Sequence, residues 1–139
     1  MSKTFITTTQ LKNYLESACE KAVETACNRL LGTLQELIMS EYYDEYDPIK
    51  YVRTYQFYSS AITRMLSKTC GEILMDSTRM QYGNDWSGEL QLLYASEGYH
   101  GGINIQTDGL FWVTFVEFCN KNAVEILKEE LRKNGISVR

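Results

Sequence analysis

Apolar side chains recur at Leu11, Leu15, Ala18, Ala22, Ala26, Leu30, Leu34 and Leu37 or Ile38, whereas Lys12, Glu16, Glu20, Glu24 and Asn28 fall off that stripe. The recurrence is close to the helical period of about 3.6 residues and predicts one long amphipathic helix over about 8–41. Thr7 followed by Gln10 has capping-box spacing, in which the two side chains satisfy amides left open at a helix start. Gly32 costs about 1 kcal/mol relative to alanine inside a helix and marks close packing or a bend. Pro48, the only proline, lacks a backbone donor and biases Asp47 away from helical backbone, so the helix ends before "YDPIKY".

Downstream, "RTYQFYSSAITRML" is compatible with a helical turn or with a strand, and "CGEILMDS" leading into "STRMQYGNDWSG" reads as a strand followed by a loop. The two together predict a hairpin over about 61–77. Ser87 as a cap and Gly98 as a stop predict a short helix over about 88–97. "YHGGINIQTDG" reads as a glycine-rich loop. An aromatic helix near 110–119 follows, and a second near 121–134 presents Ala123, Ile126, Leu127 and Leu131 on its apolar face. Lys128, Arg132 and Lys133 suit the negative end of that helix dipole, Gly135 suits the position just past the helix, and "ISVR" is read as a terminal strand. The expected class is α+β, with a long N-terminal helix, a small antiparallel β-sheet and short C-terminal helices in a single domain over 1–139. An aromatic corner spans 42–60.

Composition narrows the role of this fold. A chain of 139 residues can bury a real core but is too short for two domains with a catalytic cleft between them. Its net charge of −4 counts against a phosphate-backbone binder, which displays a basic face. No stretch has the apolar length to span a membrane, and "MSKTFITTTQ" has no signal-peptide pattern, so the expectation is a cytosolic protein when made. Cys19, Cys27, Cys70 and Cys119 are widely spread, without a CxxC or a Cys/His cluster. Neither a zinc site nor a disulfide framework follows, and plain buried or half-buried thiols are expected.

Candidate chemistry is thin. His100 is the only histidine and would have to be the base of any Cys/His or Ser/His/Asp enzyme, yet none of the four thiols has a nucleophile-elbow context; the competing reading is a loop histidine that caps a helix end or hydrogen-bonds a carbonyl. Glu97 with His100, or Asp44, Glu45 and Asp47, supply metal-type ligands, but the acidic group lacks the glycine and distal glutamate of a calcium loop and reads as a solvated turn. No nucleotide-binding signature occurs. No enzyme activity, cofactor or metal is expected. The tyrosines are the strongest feature: Tyr42, Tyr43, Tyr46, Tyr51, Tyr55 and Tyr58 crowd around Pro48, with Phe57 among them. Tyrosine offers rigid area with a polar tip, which suits a contact surface; the same side chains can also cover the helix end and sheet edge within their own subunit.

"YYDEYDPIKYVRTYQFYSSAI" resembles a stretch of the head-tail joining proteins (tail-completion, or neck, proteins) of long-tailed phages of Gram-positive bacteria. The matching residues are Tyr43, Tyr46, Pro48, Tyr51, Arg53, Thr54, Phe57, Ser60 and Ile62, followed in order by "EGYHGG", "FW" and "LRKNGI". Several members carry glycine after the Arg-Thr pair, where this chain has Tyr55. The resemblance implies a long N-terminal helix, a small sheet and C-terminal helices in a non-enzymatic subunit. It further implies a ring homo-oligomer, usually a hexamer, between the phage connector and the tail-tube protein, with DNA passing the lumen and no specific nucleic-acid binding. Tyr42, Tyr43, Tyr46, Pro48, Tyr51, Arg53, Thr54, Tyr55, Tyr58, His100 and Trp112 are the interface or loop-organising candidates. Such a protein would sit in the host cytoplasm during assembly and then in the virion, without membrane contact. A second expectation from another class is a small phage-encoded inhibitor whose acidic surface blocks a host defence protein such as a CRISPR effector.

Overall fold

The structure, a computed structural model, describes residues 3–45, 54–83, 85–97, 99–100, 103–104 and 109–139. Helix α1 (Thr8–Ile38) is its spine. The Thr7 hydroxyl accepts from the Gln10 amide at 3.2 Å, and the Gln10 side chain accepts from the Thr7 amide at 3.3 Å. This capping box satisfies open donors, and a threonine cap of this kind contributes about 1 kcal/mol. Ala18, Ala22, Ala26, Leu30, Leu34 and Ile38 are buried along one face, as the period predicts. Leu11 and Leu15 continue the stripe but stay 39% and 40% exposed.

Helical backbone ends close to where it was expected, short of Tyr46, but its last turn is not α-helical. Met39–Tyr43 continue as a π-helical turn closed by the Asp44 amide on the Met39 carbonyl at 2.9 Å. The wider turn keeps both Tyr42 and Tyr43 on the buried side.

After the corner, the ambiguous stretch resolves into both of its readings in succession: a one-turn helix α2 (Gln56–Ser60), then strand β1 (Ala61–Ser67). Strand β1 pairs antiparallel with β2 (Cys70–Met75), from Ala61↔Met75 to Ser67↔Cys70, with a register shift between Met65 and Ser67. The hairpin lies across α1, where Thr63 Oγ1 meets Asn28 Oδ1 at 3.2 Å and Lys68 Nζ meets Glu16 at 3.1 Å. A 3₁₀ turn, Ser77–Arg79, leads on to helix α3 (Gly88–Ser96), which the Ser87 hydroxyl caps by accepting from the Leu90 amide at 3.2 Å. Its expected stop, Gly98, lies outside the described residues. The glycine-rich loop contains a short antiparallel pair, β3 (Tyr99–His100) with β4 (Ile103–Asn104).

The two expected C-terminal helices are one, α4 (Leu110–Lys133). Asn120 and Asn122 are weak helix formers, each about 0.7 kcal/mol worse than alanine, but neither breaks a helix as proline does. Asn122 Nδ2 bonds the Phe118 carbonyl at 2.9 Å, back along its own helix, and so caps no new one. Helix α4 runs antiparallel to α1: Phe111 meets Tyr42, Glu129 and Glu130 meet Arg29, and Asn134 meets Tyr14. It ends in a Schellman motif, with the Ile136 amide on the Leu131 carbonyl at 2.9 Å and the Gly135 amide on Arg132 at 3.0 Å. Gly135 takes φ +85°, and a Cβ there would lie 2.6 Å from the Tyr14 hydroxyl. The expected terminal strand does not form, because the Ile136 amide is spent on this turn and residues 136–139 join no sheet.

Candidate functional site

Of the aromatic side chains that sequence reasoning singled out, Tyr42, Tyr43, Tyr55 and Phe57 meet beyond the end of α1, beside the start of α4. Tyr42, only 1% exposed, stacks on Phe57 with ring centroids 4.4 Å apart and meets Phe111 edge-on at 6.4 Å. Phe57 and Phe111 are themselves edge-to-face at 5.5 Å, and Tyr43 packs edge-on against Tyr42 at 5.2 Å. Such ring geometries add about 0.5–1.5 kcal/mol per pair beyond area burial. Leu34, Ile38, Met80 and Ala95 complete the cluster. Tyr42 has a polar tip to satisfy, and its hydroxyl accepts from Gln91 Nε2; the Gln91 carbonyl in turn accepts from Trp86 Nε1 at 3.0 Å. This relay from the π-helical turn through α3 to Trp86 joins residues that no local spacing announces.

The candidates divide by exposure. Tyr42 and Tyr43 are core, Tyr58 is half-buried with its amide 3.4 Å from the Tyr43 hydroxyl, and Thr54 is exposed. Tyr55 is 41% exposed and holds a left-handed backbone, φ 56° and ψ 24°, with its ring 5.0 Å from that of Tyr43. A non-glycine residue there is held against a cost of about 1–2 kcal/mol. This is the position after the Arg-Thr pair, where several of the resembling sequences carry glycine. Trp112 is 38% exposed, and Leu110, Val113 and Val116 lie open beside it on α4. His100 contributes its backbone to the β3–β4 pair. Tyr46, Pro48, Tyr51 and Arg53 lie outside the described residues.

Two further arrangements were not legible in the sequence. Arg29 Nη1 reaches Glu129 at 2.9 Å and the buried Glu130 at 2.8 Å, and Lys133 also reaches Glu130 at 2.8 Å. The hydrogen bonds from Lys133 and then Arg29 hold the Glu130 carboxyl below the usual glutamate range, against the opposing effect of burial. Those with Glu129 and then Glu130 raise Arg29. The second arrangement pairs Cys27 with Cys70 at the rim of one cleft. Among the described residues no group of three or more His, Cys, Asp or Glu side chains is gathered for a metal, and no helix is long and apolar enough to cross a membrane.

These features define a small α+β chain, mostly helical, built on two antiparallel helices, with an aromatic cluster at one end. The family model YomN matches residues 7–133, and the chain belongs to that family. It is a prophage-type family derived from Bacillus phage, which is consistent with a phage protein. No curated protein and no solved structure matches the chain.

Proposed function

We propose that the chain is a non-enzymatic structural subunit of the phage head-tail junction, a tail-completion or neck protein that assembles with copies of itself as a ring between connector and tail tube. One observation carries this reading. The exposed apolar side chains include two groups at opposite ends of the helix pair, Tyr55, Leu110, Trp112, Val113 and Val116 near the start of α4 and Ile6, Leu11 and Leu15 at the start of α1, with Leu66, Leu90, Leu93 and Val124 exposed elsewhere. From Leu15 to Tyr42 the helix rises about 40 Å, so these are separate surfaces. A ring subunit needs two different adhesive faces, because a head-to-tail contact joins unlike patches. The family membership and the acidic charge agree with this role, since an acidic wall would not hold DNA passing the lumen.

The test is native mass spectrometry of the purified chain, alone and mixed with the connector and tail-tube proteins of the same phage. A ring or a stoichiometric complex with either neighbour is expected; binding to neither would sink the proposal. Tight binding to a host nuclease with no virion component would favour the inhibitor instead.

A further inference from the structure

A cleft of about 250 Å³ opens between α1, α4 and the turn of the β1–β2 hairpin. Val23, Ala26, Leu30, Ala123 and Leu127 give it an apolar wall, and Cys27 and Cys70 both line it. The two thiols are far apart in sequence, yet both face this one cleft, with Gly71 between them. A Cβ on Gly71 would lie 2.7 Å from the Cys27 sulfur, 3.2 Å from the Met65 sulfur and 3.3 Å from a Val23 methyl, so the backbone next to Cys70 runs close against the Cys27 side chain on α1. Cys70 is exposed and Cys27 is half-buried.

We propose that Cys27 and Cys70 form an oxidative modification site for hydrogen peroxide, in which Cys70 is oxidised first and Cys27 resolves it to a disulfide pinning the hairpin to α1. The Cys70 thiolate attacks one peroxide oxygen; the O–O bond breaks, hydroxide leaves and is protonated to water, and Cys70 becomes a sulfenic acid. The Cys27 sulfur then attacks the Cys70 sulfur; the S–O bond breaks, and hydroxide departs with the Cys27 proton as a second water. The two sulfurs lose two electrons and the peroxide gains them. Exposure sets this order. Burial, and then the neighbouring Cys70, push the Cys27 thiol up, so Cys27 is a poor first target but stands ready beside the sulfenic acid.

The experiment treats the purified full chain with hydrogen peroxide, blocks free thiols with an alkylating agent and maps peptides without reductant. A Cys27–Cys70 linked peptide is expected, with an intact mass about 2 Da lower that returns on adding a thiol reductant. Cys27→Ser should leave a sulfenic acid on Cys70 that dimedone traps, and Cys70→Ser should leave Cys27 unoxidised. The double variant Cys19→Ser/Cys119→Ser should cross-link as the parent does. Sulfinic acid on Cys70 with Cys27 still open to alkylation would overturn the proposal, as would a link through Cys19 or Cys119. So would a link that forms as fast in the urea-unfolded chain, since proximity in the fold would then play no part.

Discussion

Tyr42 shows how one side chain couples packing to a polar contact. Its ring is sealed between Phe57 and Phe111, and its hydroxyl is the acceptor for the buried Gln91 amide. Tyr42→Phe keeps the ring and removes that acceptor, and should cost about 1–2 kcal/mol in urea unfolding. Tyr42→Ala also opens a cavity and should cost about 3–5 kcal/mol. If the two variants proved equally destabilised, the stacking would not be what holds this end. Glu130 makes the matching prediction for charge. Its folded pKa is depressed by Lys133 and Arg29, so its contribution is fully present above the unfolded glutamate value near about 4.3 and is lost as pH falls through the lower folded value. Glu130→Gln should therefore flatten the acid limb of the stability profile and leave its shape above about pH 6 unchanged. A parallel acid limb in the variant would assign the slope to other carboxylates.

At the scale of elements, local signals were legible and contacts between distant segments were not. The capping box at Thr7 and Gln10, the buried stripe from Ala18 to Ile38, the Ser87 cap and the Gly135 turn each depend on residues within a few positions of one another, and each stands where its spacing put it. Leu11 and Leu15 fit the same period yet stay open, because periodicity names a face but not whether a neighbour reaches it, and α4 ends opposite Tyr14. The Trp86–Gln91–Tyr42 relay and the Cys27–Cys70 pair likewise depend on where the hairpin and α3 land. Continuity of α4 through Asn120 was missed for an energetic reason: a weak helix former looks like a boundary until packing on α1 outweighs it. Asn120 is exposed in mid-helix, so Asn120→Ala should stabilise the chain by about 0.5 kcal/mol in thermal or urea unfolding. Were it instead the cap of a separate second helix, the same change would destabilise by about 1 kcal/mol. The sign alone decides between one helix and two.

For the whole molecule, the two open ends make a prediction that separates a head-to-tail assembly from a two-fold dimer. If the patch at the start of α4 adheres to the patch at the start of α1 of the next copy, a charge at either end breaks every contact in a pure sample. Val113→Glu alone and Leu11→Glu alone should each be monomeric under conditions where the parent assembles, as read by native mass spectrometry. Mixed, the two variants retain one intact α4 patch and one intact α1 patch between them, so a 1:1 pair should appear that cannot grow further. A two-fold dimer joins like to like, so only the variant altered in the contacting patch would fall apart, the other would dimerise unaided, and mixing would yield no new pair of unlike variants. Appearance of the capped pair thus reports the polarity of the contact as well as its existence, and polarity is what a ring at the head-tail junction requires of its subunit.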